Sequence, residues 1–308
     1  MGALDGRVAI ITGAGRGIGR EHALLFAAEG AAVLVNDLGG AQDGTGQDLT
    51  PAQQVVDEIV AAGGAAIANY DDVADADGAQ RMVDMAISTF DGLDVLVNNA
   101  GILRDRTLVN MTDAEWDAVI HVHLRGHFLP SRAVAQYWRN QAKAGKNVQA
   151  SIINTSSTSG LLSNPGQANY GAAKAGIASM TEITQKELGR YGVRANAICP
   201  AARTRLTMSI PGAEERDTER RKRAEARGFD KFAPDNISPL VAYLATTGCP
   251  IKGKVFFVYG GGVALMQPWH VSDTIQIDRK WTVAELAEAA DKWGQVEWDY
   301  SLPFFERE

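Results

Sequence analysis

One passage constrains the fold of this 308-residue chain more than any other. Val8-Ala9-Ile10-Ile11 runs straight into Thr12-Gly13-Ala14-Gly15-Arg16-Gly17-Ile18-Gly19, and a helical segment follows. A short β-branched run that meets glycines and then a helix opens a βαβ unit. Glycine at such a turn lets the backbone approach a pyrophosphate, and the helix start adds free N–H groups and the positive end of its dipole. Gly13, Gly15, Arg16, Gly17, Ile18 and Gly19 are therefore expected to form a dinucleotide-binding turn.

The rhythm continues along the chain. Apolar runs at 7–12, 32–36, 65–69, 94–98, 151–155, 194–198 and 254–259 read as strands covered on both faces. Segments of helical period at 17–29, 51–62, 76–90, 114–140, 168–191 and 238–245 fill the gaps. Thr50 reads as the N-cap of the second helix, with Pro51 at its first position. This alternation predicts the α/β class, with a doubly wound, mostly parallel Rossmann sheet. One domain is expected over residues 1–266. The tail at 267–308 carries an amphipathic stretch at 283–293 and is expected to pack on the domain or on a partner subunit. The Gly/Asp-rich stretch 38–50 and the charged stretch 206–235 break the pattern as long connections.

The second strand ends Val35-Asn36-Asp37. A carboxylate there accepts hydrogen bonds from adenosine ribose hydroxyls and repels a 2′-phosphate, so Asp37 points to NAD. Arg16 points weakly the other way, because a basic residue in the turn can meet that phosphate. The net charge of -7 leaves no excess of cations for nucleic acid or an anionic membrane. Cys199 and Cys249 are too few for a disulfide framework or a thiolate metal site, and both read as buried thiols; no metal is expected. No signal peptide and no apolar run of roughly 18 residues is present, so a soluble cytoplasmic protein is expected.

Tyr170-Gly171-Ala172-Ala173-Lys174 lies near the start of a helical segment, and residues four apart share a helix face. A phenol with pKa of about 10 is a poor base near neutrality. Lowering it by 2–3 units needs roughly 3–4 kcal/mol, and an ammonium about 4 Å away at an effective dielectric near 20 supplies about 4 kcal/mol. Lys174, aided by a nicotinamide cation, is expected to make Tyr170 a proton-transferring acid/base. Alone, the same spacing describes an ordinary solvated helix face.

Taken with Thr12–Gly19, Asp72-Val73, Asn98-Asn99-Ala100-Gly101 and Cys199-Pro200, this pattern resembles the short-chain dehydrogenase/reductase family over residues 4–262. The resemblance implies that Ser157, 13 residues before Tyr170, holds the substrate oxygen, although Ser156, Thr158 and Ser159 are adjacent. It implies that Lys174 and Tyr170 border the nicotinamide ribose and that Asn98, Asn99, Ala100 and Gly101 flank the cofactor. Asp72 and Val73 would meet adenine, Pro200 would lie near the carboxamide, and 206–235 would form a substrate lid. Many members carry Asn where this chain reads Val122-His123-Leu124. His123 is expected to face inward, either holding a relay water in place of Asn or serving as a structural core histidine.

A narrower resemblance rests on Asn36-Asp37-Leu38-Gly39-Gly40, Val122-His123-Leu124-Arg125-Gly126 and Gly166-Gln167-Ala168-Asn169-Tyr170. These runs are similar to the (3R)-hydroxyacyl-CoA dehydrogenase part of multifunctional peroxisomal β-oxidation proteins and their free-standing bacterial relatives. The similarity implies a 3-hydroxyacyl-CoA substrate, with oxidation to the 3-ketoacyl thioester and hydride passing to NAD. A hydroxysteroid or other secondary alcohol is the alternative substrate, and a non-catalytic NAD-binding module is the alternative of another class. The basic run Arg220–Arg223 reads as a solvated helix face in preference to a phosphate site. Family members commonly pair through the helices at 114–140 and 168–191, so a homodimer or homotetramer is expected.

Overall fold

Five consecutive buried residues, Val8–Thr12, form β1 in the computed structural model, which describes residues 2–41, 43–204 and 213–302. Around it stand β2 (Ala32–Asn36), β3 (Ala65–Asn69), β4 (Val95–Asn98), β5 (Ala150–Thr155), β6 (Val193–Ala201), β7 (Val255–Tyr259) and β8 (Gly262–Leu265). The sheet order is β3-β2-β1-β4-β5-β6-β7-β8. Pairings from β3 through β7 are parallel, and β8 closes the far edge antiparallel. The strand order therefore reverses between β1 and β4. The carboxyl ends of those two strands border the crevice where doubly wound sheets bind ligands.

The helices are α1 (Gly17–Ala28), α2 (Thr50–Ala61), α3 (Ala76–Phe90), α4 (Asp113–Ile120), α5 (Gly126–Lys143), α6 (Thr158–Leu161), α7 (Ala168–Leu188), α8 (Ala213–Arg227), α9 (Ser238–Ala245) and α10 (Val283–Ala290). Two apolar cores result. One gathers Phe26, Val35, Ile59, Ile198, Leu244 and Val258, and the other Ile10, Leu34, Met82, Leu96, Trp138 and Val193. Burial of each large side chain contributes roughly 1.5–3 kcal/mol. Trp138 reaches its fully buried position without an unpaired donor, because its indole N–H donates to the Leu93 carbonyl at 2.6 Å. No helix of the described residues is long and apolar enough to cross a membrane.

Several local expectations are corrected. The Leu49 backbone is the N-cap of α2, and Thr50 is already helical. Asp48 takes over the capping function, with Oδ1 accepting from the Thr50 N–H at 3.0 Å. Strand β3 is half-exposed rather than covered on both faces, as befits an edge. Strand β8 was not expected, although Gly260-Gly261 between Tyr259 and Gly262 is a two-residue hairpin signal. Helix α8 forms within the charged stretch; residues 205–212 of that connection lie outside the described residues. The segment expected as one helix at 114–140 is two, joined by a π turn at His121–Arg125.

The chain forms two compact units, Met1–Leu265 and Met266–Glu308. Within the second, Thr282 and Glu285 form a capping box at the start of α10, and Arg279 bonds Glu285 at 2.6 Å. Asp273 accepts from the Trp293 indole N–H at 3.0 Å and pairs with Lys292 at 2.6 Å.

His22 on α1 is fully buried, with Nδ1 2.8 Å from Ser238 Oγ on α9. Burial pushes its pKa down to about 3. An unfolded histidine titrates near 6.5, so between those values the unfolded chain binds a proton that the folded chain refuses. Stability is therefore fully present above about pH 6.5 and is lost as pH falls toward 3. A His22→Gln variant is expected to lose much of this acid sensitivity, amounting to a few kcal/mol over the window. Urea unfolding at pH 7.0 and about pH 5 measures it; parallel slopes in both proteins would refute the assignment.

Candidate active site

The glycines of the β1–α1 turn do different jobs. Gly13 adopts φ +62° and Gly17 φ +54°, conformations that side chains rarely tolerate. A Cβ on Gly13 would stand 2.7 Å from the Ala100 Cα, and one on Gly19 would collide with the Gly13 carbonyl oxygen. No side chain caps α1 and no acidic residue occupies its first turn. The turn thus presents an open helix start with bare backbone, the arrangement that suits a pyrophosphate. Ile18 packs against the first core.

Asn99 holds this turn from the β4 side. Its side-chain amide donates to the Thr12 and Gly13 carbonyls at 3.0 and 3.1 Å, and its N–H donates to Thr12 Oγ1 at 2.9 Å. It acts as a brace for the turn. Asn98, expected to flank the cofactor, is instead fully buried and donates to Ser131 Oγ and Asn154 Oδ1, both at 2.9 Å. Adjacent residues on a strand point to opposite sides, which explains the different fates of Asn98 and Asn99.

At the end of β2, Asp37 Oδ2 accepts from the Gly15 N–H at 2.8 Å and Oδ1 from the Gly39 N–H at 2.7 Å. The carboxylate is fixed at the rim of the turn, and each oxygen keeps a further lone pair for a hydroxyl. Arg16 pairs with Asp48 at 3.3 Å. Asp72 closes a local turn by accepting from the Ala74 N–H at 2.8 Å. The Val73 side chain is spent in the second core, where a Cβ on Gly126 would stand 2.7 Å from it. Pro200 lies within β6, aligned with Val258. Pairing of β6 with β5 stops at Ile198, so the strand end tolerates a residue without an N–H.

The structure brings Ser157, Tyr170, Lys174 and His123 together. Three of the four neighbouring hydroxyls differ in what they meet. Ser156 is buried and donates to the Lys174 carbonyl at 2.8 Å, and Ser159 Oγ donates to Gln167 Oε1 at 2.7 Å. Ser157 is the hydroxyl that acts on the Tyr170 phenol, pulling its pKa down. Lys174 is buried, donates from Nζ to the Thr155 carbonyl at 2.6 Å, and stands 5.4 Å from the centre of the Tyr170 ring.

The protein groups by themselves push these two side chains toward their neutral forms. Burial pushes the Tyr170 phenol up to about 12, with Ser157 opposing the rise through its hydrogen bond. Burial likewise pulls Lys174 down to about 7. A single lysine at this distance does not overcome desolvation of both groups, because its ammonium is directed to a backbone carbonyl rather than to the phenol oxygen. Cys199, buried beside them as expected, is pushed up to about 12 by burial and is no nucleophile.

His123 faces inward, 1% exposed, with its ring edge-on to Tyr170 at 5.1 Å. Its Nε2 lies 2.7 Å from the Ile102 carbonyl and 3.1 Å from the Ile102 nitrogen. The shorter contact decides the tautomer: two lone pairs at that distance would repel, so Nε2 carries the proton. Nδ1 is left as a buried acceptor without a protein partner. Burial and the Lys174 charge hold this imidazole well below its usual pKa. The π turn that carries it escaped the helical periodicity. Buried residues at 119, 123, 127 and 131 are strictly four apart, wider than 3.6, and a widened turn absorbs the excess.

Two further groups lay beyond the expected set. Arg203 joins α8 and the loop after it by pairing with Asp217 at 3.0 Å and with Asp230. In α8 itself, Arg221 pairs with Asp217 at 2.8 Å and Lys222 with Glu219 at 2.8 Å, so this part of the basic run is engaged within its own helix. The other group is Asp105 with Gln167, between the loop after β4 and the start of α7. Polar residues in loops carry no periodicity, and only their nearness to Tyr170 in sequence or space marks them.

The short chain dehydrogenase family model matches residues 7–215. Hydroxyacyl-CoA dehydrogenase ChsB1 of Mycobacterium tuberculosis is 45% identical, over 92% of this chain and 87% of its own length. The peroxisomal hydratase-dehydrogenase-epimerase of Neurospora crassa is 38% identical over 97% of this chain, which spans 31% of that longer protein. A crystal structure of a short chain dehydrogenase from Mycobacterium avium superposes with a TM-score of 0.83 at 48% identity, covering 96% of this chain and 97% of that one.

Proposed function

This chain belongs to the short-chain dehydrogenase family and is an oxidoreductase that uses a nicotinamide cofactor; from that premise we propose that it is an NAD-dependent 3-hydroxyacyl-CoA dehydrogenase. Oxidising a secondary alcohol removes a hydride from carbon and a proton from oxygen, and the nicotinamide, when bound, accepts the hydride. The chain's own residues handle the proton. Tyr170 takes it from the substrate hydroxyl, and Ser157 holds that oxygen in line by donating a hydrogen bond. Lys174 borders the ribose side and favours the phenolate once a second positive charge shares the pocket. His123 Nδ1 offers an acceptor beside Lys174 for a relay water, the part that an Asn side chain plays in many relatives.

The observation that carries the reading is the Ser157–Tyr170–Lys174 group after β5 and on α7, with Lys174 buried and Ser157 and Tyr170 half-buried, in a sheet whose strand order reverses beside an open glycine turn. A mere binding module has no use for that set. NAD over NADP is supported by Asp37, fixed where a 2′-phosphate would meet its charge, and by Arg16, already paired with Asp48. Gly13, Gly15, Gly17 and Gly19 would seat the pyrophosphate, with Ala100 and Gly101 lining the opposite wall and Pro200 the nicotinamide end. Asp72 and Val73 would border adenine. The thioester substrate rests on the relative named hydroxyacyl-CoA dehydrogenase ChsB1, which matches over 92% of this chain. Pairing into a homo-oligomer through α5 and α7 is supported by Phe128 and Ile183, which are apolar and exposed there.

Appearance of reduced nicotinamide absorbance tests this reading. The purified protein is offered NAD or NADP together with both enantiomers of 3-hydroxyacyl-CoA thioesters, and separately a free hydroxysteroid. NAD is expected to exceed NADP by at least about tenfold in specificity constant, and a thioester to exceed the steroid by a similar margin. A steroid preferred by orders of magnitude would overturn the thioester assignment.

A further inference from the structure

The loop after β4 and the turn before α7 are stitched together at the mouth of the site. The Arg106 N–H donates to the Gly166 carbonyl at 2.9 Å, and Asn169 Nδ2 donates to the Arg104 carbonyl at 3.0 Å. Gln167 is the hub. It donates from Nε2 to Asp105 Oδ2 at 2.7 Å and accepts at Oε1 from Ser159 Oγ at 2.7 Å and Asn164 Nδ2 at 3.0 Å. The Ser159 N–H in turn donates to Ser157 Oγ at 3.2 Å, and the Ser157 hydroxyl lowers the Tyr170 pKa. A chain of contacts thus runs from Ser157 through Ser159 and Gln167 out to one carboxylate.

Asp105 is exposed as a residue, partial burial of its carboxyl raises its pKa against the Gln167 hydrogen bond, and among the described residues it enters no ion pair. The adjacent cations are directed elsewhere: Arg104 Nε donates to the Asp43 carbonyl at 2.8 Å, and Arg106 pairs with Glu115 at 3.1 Å. Its negative charge reaches the phenol and is one of the influences holding Tyr170 high. A group that makes the acid/base harder to ionise hinders alcohol oxidation. Its position suits a different task.

We propose that Asp105, held by Gln167, is a charge filter: it disfavours substrates with a free carboxylate next to the reacting carbon and admits those whose carboxyl group is masked as a neutral thioester or ester. This rests on the 3-hydroxyacyl thioester reading above. In a free 3-hydroxy acid the anion lies two bonds from the carbon that loses hydride. It would share the pocket with Asp105 and with the Tyr170 phenolate that oxidation requires. A thioester presents a neutral carbonyl at the same point.

The test compares an acid with its neutral derivative. CoA carries its own phosphates, so the neutral probe is the N-acetylcysteamine thioester of 3-hydroxybutanoate, set against 3-hydroxybutanoate itself. Asp105→Asn keeps an oxygen for the Gln167 amide and removes only the charge. The thioester-to-acid ratio of specificity constants is expected to fall about tenfold in Asp105→Asn, through a gain on the acid, and to persist in Asp105→Glu. A ratio unchanged within about twofold, or an equal loss on both substrates, would overturn the filter and leave Asp105 a loop fastener. Binding of acetoacetate and of methyl acetoacetate to the NADH complex, followed by NADH fluorescence, reads the same ratio without turnover. If the wild type oxidises no thioester while this binding ratio still shifts in Asp105→Asn, the substrate reading falls and the filter stands.

Discussion

Tyr170→Phe is expected to lower kcat by about 10³–10⁴ while leaving NADH affinity within about twofold of the wild type. The substitution deletes one oxygen and keeps the ring, so the edge-on contact with His123 at 5.1 Å survives. What is lost is the phenol oxygen on which Ser157 acts, the proposed proton acceptor. The pH profile adds a signature. Protein groups alone hold the phenol at about 12, well above neutrality. Oxidation needs the phenolate, so wild-type kcat should climb with pH through the neutral and mildly alkaline range, and the residual rate of the variant should lose that slope. Steady-state rates and NADH fluorescence titration check both parts. Turnover equal to wild type would remove Tyr170 from the mechanism.

Lys174→Met is expected to separate activity from stability. Methionine fills the space of the aliphatic stem but carries no charge, so kcat/KM should fall by about 10³ and the KM for NAD should rise. Stability should move the other way or hardly at all. The Lys174 pKa is about 7 in the fold, against an ordinary value near 10.5 when unfolded. Between those values the unfolded chain binds the extra proton, so this residue makes folding less favourable at pH 7 and relieves that cost as pH rises toward 10.5. The variant loses the bond to the Thr155 carbonyl and also loses this penalty. Urea midpoints at pH 7 and about pH 9.5 measure the difference: the wild type should gain stability relative to the variant on going to the higher pH. A variant that is both inactive and unfolded at pH 7 would contradict the account of Lys174 as a group kept for chemistry at a cost in stability.

The parallel sheet was legible because its strands are short, apolar and separated by helical periods; six of the seven expected strands, all but β6, end at the predicted residue. The antiparallel β8 was missed because three successive glycines read as an ending. The glycine turn, Asp37 and the Tyr170–Lys174 pair could be named as candidates because each is a local pattern with a local physical reason. Asn98 and Asn99 could not be told apart, since the side of the strand decides between core and site. Which serine faces Tyr170 depended on the turn at Ser157–Ser159, and the tautomer of His123 depended on Ile102, 21 residues away in sequence. Electrostatics were least legible. Spacing indicates that an ammonium and a phenol share a helix face, but burial sets their pKa values, and burial is a property of the whole fold.

A crystal structure with NAD and a 3-hydroxyacyl thioester bound tests the central claim most directly. The Tyr170 hydroxyl is expected about 3 Å from the substrate oxygen, on the side of the reacting carbon that faces nicotinamide. A Tyr170 hydroxyl turned out of the cleft, or separated from the substrate oxygen by the width of another residue, would contradict it.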